Sequence, residues 1–224
     1  MQAFKAVAIL LSLMYFNSAH AFQCRFFQDR TELEIEDILV TSIDSLCPDE
    51  ISAHLDKPVI LYLKSRGGDI DLIRGIVSEI RAFMAKALTQ SAYLPTVVVS
   101  EECSSACIPI LSGLNQMAGN MAIRLLVDRK TNIGFHGCSD VYKEEPKLRF
   151  SVRGTKRYLG YFKELGGSPA WIESNESLFR SPEVTNFNPE NRPIQESGIL
   201  SHAEIVDLNS YRIALDKIRF SASN

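Results

Sequence analysis

Three short segments carry the residue types that acyl-transfer chemistry needs. Ser65-Arg66-Gly67-Gly68-Asp69 sets two glycines directly after an apolar run, where a backbone without Cβ atoms can approach a ligand and aim N–H groups at it. Cys103-Ser104-Ser105-Ala106-Cys107 puts hydroxyls at the start of an apolar, helix-like stretch. Unsatisfied N–H groups and the helix dipole there favour developing negative charge. Gly134-Phe135-His136-Gly137 ends a third apolar run with an imidazole, a side chain able to take a serine proton. Each segment alone has a plainer reading: a turn, an ordinary Ser N-cap, a structural or solvated histidine. Their succession along one chain is what points to chemistry.

The elements that must position them are legible around each segment. Alternation at Leu33, Ile35, Ile38 and Val40 predicts a strand, and Pro48-Asp49-Glu50 opens a short helix to about Leu55. Pro58 to Ser65 (PVILYLKS) is a continuous apolar run, read as a strand buried on both faces. Ile70, Ile73, Ile76, Val77, Ile80, Phe83 and Met84 recur at helical spacing. Thr96 to Ser100 predicts a second buried strand, Ser105 to Leu114 a short apolar helix, and a third strand arrives near Asn132. Helices are expected over Val152–Leu165, Pro169–Leu178 and His202–Leu208, with a long polar, Pro-rich loop over 179–197. Strands alternating with helices demand right-handed crossovers and a mostly parallel sheet. Loops that end such strands gather at the carboxyl edge of the sheet, where sites form.

Composition narrows the partners. The 224 residues are 46% hydrophobic and 23% charged, a globular profile. With 27 acidic residues against 24 Lys plus Arg, no basic excess steers the chain to nucleic acid. Met1–Ala21 joins Lys5, an apolar run from Ala6 to Phe16 and an Ala19-His20-Ala21 site, the pattern of a cleaved secretory signal. That run is too short for a bilayer core of about 30 Å, and no later stretch offers the roughly 18 apolar residues a span needs. The expectation is an exported protein, in a Gram-negative periplasm or secreted, with mature residues 22–224. In such an oxidising compartment Cys24, Cys47, Cys103, Cys107 and Cys138 can form at most two bridges. Cys24–Cys47 is the simplest pair, and a second bridge among the other three is left open. Without C-x2-C or H-x3-H spacing no metal site is expected.

The quoted segments resemble the Clp peptidase/crotonase superfamily. LYLKSRGGDIDLIRGIVSEI is similar to its strand-to-helix glycine element, VVVSEECSSACIPILSG to its nucleophile turn, and NIGFHG to its catalytic-His strand. The C-x-S-A-C form is that of exported members, and YLGYFKELGGSPAWIE and GILSHAEIVDLN are similar to their later helix and closing element. The resemblance covers about Leu33 to Ser139 well. It implies an α/β fold of repeated β-β-α units, a mostly parallel sheet covered by helices, in one domain whose part from about 152 to 224 is helical. It also implies Ser105 as nucleophile, with Ser104 as its rival, His136 as general base, and the amides of Gly67 or Gly68 and of Ala106 as the oxyanion hole.

Three departures stand out. Arg66 replaces the family's usual Pro, which either loosens the oxyanion turn or adds a positive substrate contact. An insertion is expected around Asn115 to Arg129. The third triad member is unassigned: one alignment offers Ser197 with Glu196 beside it, another Asn186, and Asp140 is a further candidate. The resulting reading is a serine hydrolase of peptide or amide bonds, without cofactor or ATPase partner, and homo-oligomeric by analogy. The alternative is a catalytically silent binding protein of the same fold. A thioester enzyme ranks last, because coenzyme A thioesters are scarce outside the cytoplasm.

Overall fold

A computed structural model describes residues 22–35, 54–141 and 148–210. The expected signal segment, Cys47 and the helix opening at Pro48 therefore lie outside the described residues.

Eight strands form the main sheet: β1 (Phe22–Phe26), β2 (Thr31–Ile35), β3 (Val59–Ser65), β4 (Thr96–Ser104), β5 (Arg124–Asp128), β6 (Asn132–Phe135), β9 (Thr185–Phe187) and β10 (Glu204–Val206). Between β6 and β9 the chain makes a separate antiparallel pair, β7 (Ser139–Val141) with β8 (Leu148–Phe150). Within the main sheet only β1–β2 and β6–β9 run antiparallel; every other pairing is parallel. The fold is thus α/β, with a mostly parallel sheet covered by helices, as the order of elements requires.

β4 is the strand that makes the site. Its first half, Thr96–Val99, pairs with β5, and its end, Glu102–Ser104, pairs with β6. Between the two halves the register to β3 slips: Leu63 and Ser65 oppose Val99 and Cys103, so β4 carries two extra residues there. Glu101 takes a φ of +59° in that bulge. Such a bulge re-aims a strand. Here it hands the last residues of β4 to β6, the strand that leads into His136.

A 3-10 turn at Ile70–Leu72 leads into α1 (Ile73–Gln90), which buries Ile73, Ile76, Val77, Ile80, Met84 and Ala87 on one face. α2 (Cys107–Gly119) is buried at every position from Cys107 to Asn115, so it is the central helix of the core. Pro109 falls in its first turn, where no helical N–H partner is lost. α3 (Val152–Glu164) starts at Ser151, whose Oγ accepts from Gly154 N–H at 3.1 Å. α4 (Pro169–Ser174) starts at Ser168 in the same way, with Pro169 preset for the first turn. Phe135, Tyr158, Phe162, Trp171 and Phe179 interlock beneath β6, with centroid separations from 5.1 to 6.5 Å, and so fix the strand that carries the histidine.

Several sequence expectations are corrected. The stretch read as an insertion, Asn115 to Arg129, holds the end of α2 and the strand β5, buried at its three central residues Leu125, Leu126 and Val127. His202–Leu208 is not a helix but turns into β10, which pairs with β5. The loop expected over 179–197 contains β9 and the short α5 (Arg192–Glu196). The helix from Pro169 ends at Ser174 and continues as a 3-10 turn over Glu176–Phe179. From 152 to 210 the described chain is therefore mixed rather than helical. β3 buries Val59, Leu61, Leu63 and Ser65 but leaves Ile60, Tyr62 and Lys64 half-buried, so one face is covered fully and the other in part. Runs of three to five residues carry too little periodicity to separate strand from helix or loop, and their tertiary pairing decides.

Candidate functional site

Ser104 ends β4 and Cys107 begins α2, so Ser105 sits in a two-residue strand-to-helix turn. Its φ is +53°, left-handed backbone that a non-glycine residue adopts at a cost of about 1–3 kcal/mol. Three ties hold it there. Ser105 N–H donates to Gly134 O on β6 at 3.0 Å, and Ser105 O accepts from Ile108 N–H at 3.0 Å. The Cys103–Cys107 disulfide closes over the turn, joining the end of β4 to the first residue of α2. This is the second bridge the sequence left open. Cys24 is also disulfide-bonded, its expected partner Cys47 lying outside the described residues, and Cys138 is a buried thiol.

The two serines part company at this turn. Ser104 is 1% exposed and donates its hydroxyl to Glu102 Oε1 at 3.0 Å. A Cβ on Gly134 would stand only 2.2 Å from Ser104 Oγ, so that side chain is packed into the β4–β6 seam. Ser105 instead lines a cleft of about 910 Å³.

The glycine turn lies against Ser105. A Cβ on Gly67 would come within 2.5 Å of Ser105 Cβ and 3.0 Å of its Oγ, and the Gly67 φ of +120° excludes other residues in any case. Gly67 N–H donates to Ser65 Oγ at 3.0 Å, and the Ser65 hydroxyl donates back to Gly67 O at 3.1 Å. The Gly67 amide is thereby engaged, while Gly68 lines the cleft. Arg66 reaches across this turn to Glu102, at 3.6 Å.

His136 follows β6 directly, half-buried, and lines the same cleft as Ser105. Its Nδ1 lies 2.6 Å from Gly137 O. A carbonyl only accepts, so Nδ1 is the donor in this contact, and Nε2 is the nitrogen a neutral ring would offer as acceptor. Gly137 is held in turn by its N–H to Ser181 O at 2.7 Å, and by the Phe150 ring, which leaves no room for a Cβ. No hydrogen bond joins Ser105 Oγ to the imidazole among the described residues, a separation common where no substrate is bound.

Neither Ser197, Glu196 nor Asn186 lines the cleft. Ser197 is buried and donates to Ile194 O at 2.6 Å, and Glu196 binds Arg192 on α5. Asn186 pairs with Gly134 across β6–β9 and is exposed, and Asp140 lies on β7 opposite Arg149. A backbone carbonyl, that of Gly137, meets the ring where a carboxylate was sought. No cluster of His, Cys, Asp or Glu able to hold a metal occurs among the described residues, and no helix there is long and apolar enough to cross a membrane.

Sequence reasoning missed the far wall, built by the start of α3. Ser151, Arg153, Gly154 and Arg157 line the cleft there, with Cys138 beneath them. Burial pushes up the pKa of the Tyr158 phenol one turn on, with the Cys138 thiol beside it. A signal for this wall existed: α3 opens with Arg153, Lys156 and Arg157 and no acid in its first turn, opposite to what the helix dipole favours.

No protein-family model matches the chain, and no curated protein matches it significantly. Among solved structures it is similar to a mutant of a membrane-bound stomatin-specific protease, at 17% identity and a TM-score of 0.44, over 69% of this chain and 67% of the other. It is also similar to enoyl-CoA hydratases from Shewanella pealeana (11% identity, TM-score 0.42, 92% and 76% covered) and Bacillus halodurans (11%, 0.39, 91% and 81%).

Proposed function

We propose that this chain is a serine hydrolase of the Clp peptidase/crotonase superfamily that cleaves peptide or amide bonds. One observation carries the reading: Ser105 is held in a left-handed strand-to-helix turn, against a glycine with no room for a side chain, in the cleft that His136 also lines. A plain Ser N-cap needs neither the strained backbone nor the glycine contact.

In the proposed reaction Ser105 Oγ attacks the substrate carbonyl carbon while its proton passes to His136 Nε2. The tetrahedral oxygen accepts hydrogen bonds from the amides of Gly68 and Ala106, Gly67 being bound to Ser65. Collapse expels the amine, which takes the proton from His136 and leaves an acyl-serine. Water, deprotonated by the same nitrogen, then releases the acid and restores the serine. The Gly137 carbonyl fixes the tautomer and ring orientation, the part a carboxylate plays in a full triad. Export to an oxidising compartment belongs to this proposal, supported by the Met1–Ala21 pattern and the Cys103–Cys107 bridge. So do a homo-oligomeric state and action without an ATPase, both by analogy with the superfamily.

A silent binding protein is the second reading, favoured because among the described residues neither a Ser105–His136 hydrogen bond nor a carboxylate on the imidazole occurs. A fluorophosphonate probe decides between them. Labelling that maps to Ser105, disappears in Ser105→Ala and drops sharply in His136→Ala supports hydrolysis; an unlabelled Ser105 in folded protein supports binding alone.

A further inference from the structure

Three arginines line the cleft, and they are not equivalent. Arg66 is paired with Glu102 and Arg157 with Asp71. Arg153 has no hydrogen bond or ion pair among the described residues, yet it is exposed to the cleft at the second position of α3. That is an unfavourable place for a cation, since the N-terminus of a helix repels positive charge. The first six residues of α3 hold Arg153, Lys156 and Arg157 and no acid, so nothing on the helix itself offsets the cost. Among the described residues the carboxylates that line the cleft are already engaged: Asp71 with Arg157, and Asp69 as cap to Asp71 N–H at 2.9 Å. A guanidinium and a helix N-terminus that face one cleft form a donor set for a planar oxyanion.

We propose that Arg153 is the specificity-determining residue of this cleft and selects substrates that present a carboxylate near the bond attacked by Ser105. The inference rests on the hydrolase reading for the bond but not for the binding. The carboxylate comes either from an acidic side chain or from the C-terminus of a peptide, and both satisfy the same guanidinium.

The test is a set of fluorogenic peptides on one neutral frame. One arm carries Glu against Gln at each position flanking the scissile bond; the other carries a C-terminal acid against the amide. The expected result is a preference of about tenfold in kcat/KM for one carboxylate peptide over its uncharged twin. The preferred arm identifies the source of the carboxylate. In Arg153→Gln the preference should fall within about twofold, and Arg153→Lys should restore part of it, a point charge replacing a fork. Arg81→Gln, on α1 outside the cleft, should leave the preference as it was. Wild type with no carboxylate preference in either arm overturns the proposal, as does a preference that survives in folded Arg153→Gln. Fluorescence anisotropy on the Ser105→Ala protein repeats the comparison without turnover. A chain that fluorophosphonates leave unlabelled, but that still binds the carboxylate peptide through Arg153, loses the hydrolase reading and keeps this one. A labelled chain indifferent to the carboxylate does the reverse.

Discussion

The two walls of the cleft are built by different physics. The wall carrying Ser105 is over-determined: a disulfide, a backbone hydrogen bond to β6 and a glycine packed too closely for any side chain all act on two turn residues. The wall at the start of α3 is exposed, with Arg157 at 44% and Asp71 at 53% side-chain exposure, and is held by surface ion pairing. Interiors transmit constraint, whereas exposed pairs yield to solvent and salt. On the proposed reading, bond-making geometry is thus placed on the constrained wall, and recognition where side chains can adjust.

The sharpest way to break that contrast is to remove the reacting groups. Ser105→Ala and His136→Ala should each cost on the order of 10⁴-fold or more in kcat, and the double variant little more than either, as for residues acting as one unit. Kinetics on purified folded variants check this.

Gly67→Ala probes the rigid wall by crowding Ser105 rather than removing its hydroxyl. A Cβ at φ +120° and 2.5 Å from Ser105 Cβ should destabilise the fold by about 2–4 kcal/mol and displace the nucleophile. Chemical denaturation beside probe labelling would read both effects; unchanged stability would show that the turn is softer than its geometry implies. Replacing Cys103 and Cys107 together removes a crosslink of sequence separation 4, worth about 2 kcal/mol in the chain-entropy model. If the bridge positions Ser105, kcat should drop while KM changes little.

The smallest effect belongs to the exposed side of the molecule. Arg124 on β5 donates two hydrogen bonds of 2.7 Å to Glu204 on β10, and these hold the Glu204 carboxyl below its ordinary pKa. Because the folded value is lowered, the stabilisation is present above the ordinary carboxylate range and is lost as pH falls through the folded value. Both side chains are more than a third exposed, so about 0.5 kcal/mol is the expected size. Melting curves of wild type and Glu204→Gln from neutral to acid pH should converge; curves that stay parallel would show that the fork contributes nothing.

The three chemistry-bearing segments were legible because each requires particular residue types. Glycine is forced at 67 by its φ and its neighbour, small residues follow Ser105 where α2 meets the sheet, and an apolar strand must precede His136 to anchor it. Composition and alternating elements likewise determined an α/β sheet with parallel strands. The rest depended on partners far away in sequence. β5 and β10 are too short to declare themselves and exist because they pair with each other, β5 pairing in turn with β4. Which serine faces the cleft was settled by the bulge at Glu101, which turns Ser104 into the β6 seam and leaves Ser105 outside it. The imidazole's orienting partner is a backbone carbonyl, which no residue type can announce. The arginine wall formed because α3 docks across the cleft from Ser105, and a helix's docking position is fixed by packing rather than by its own residues.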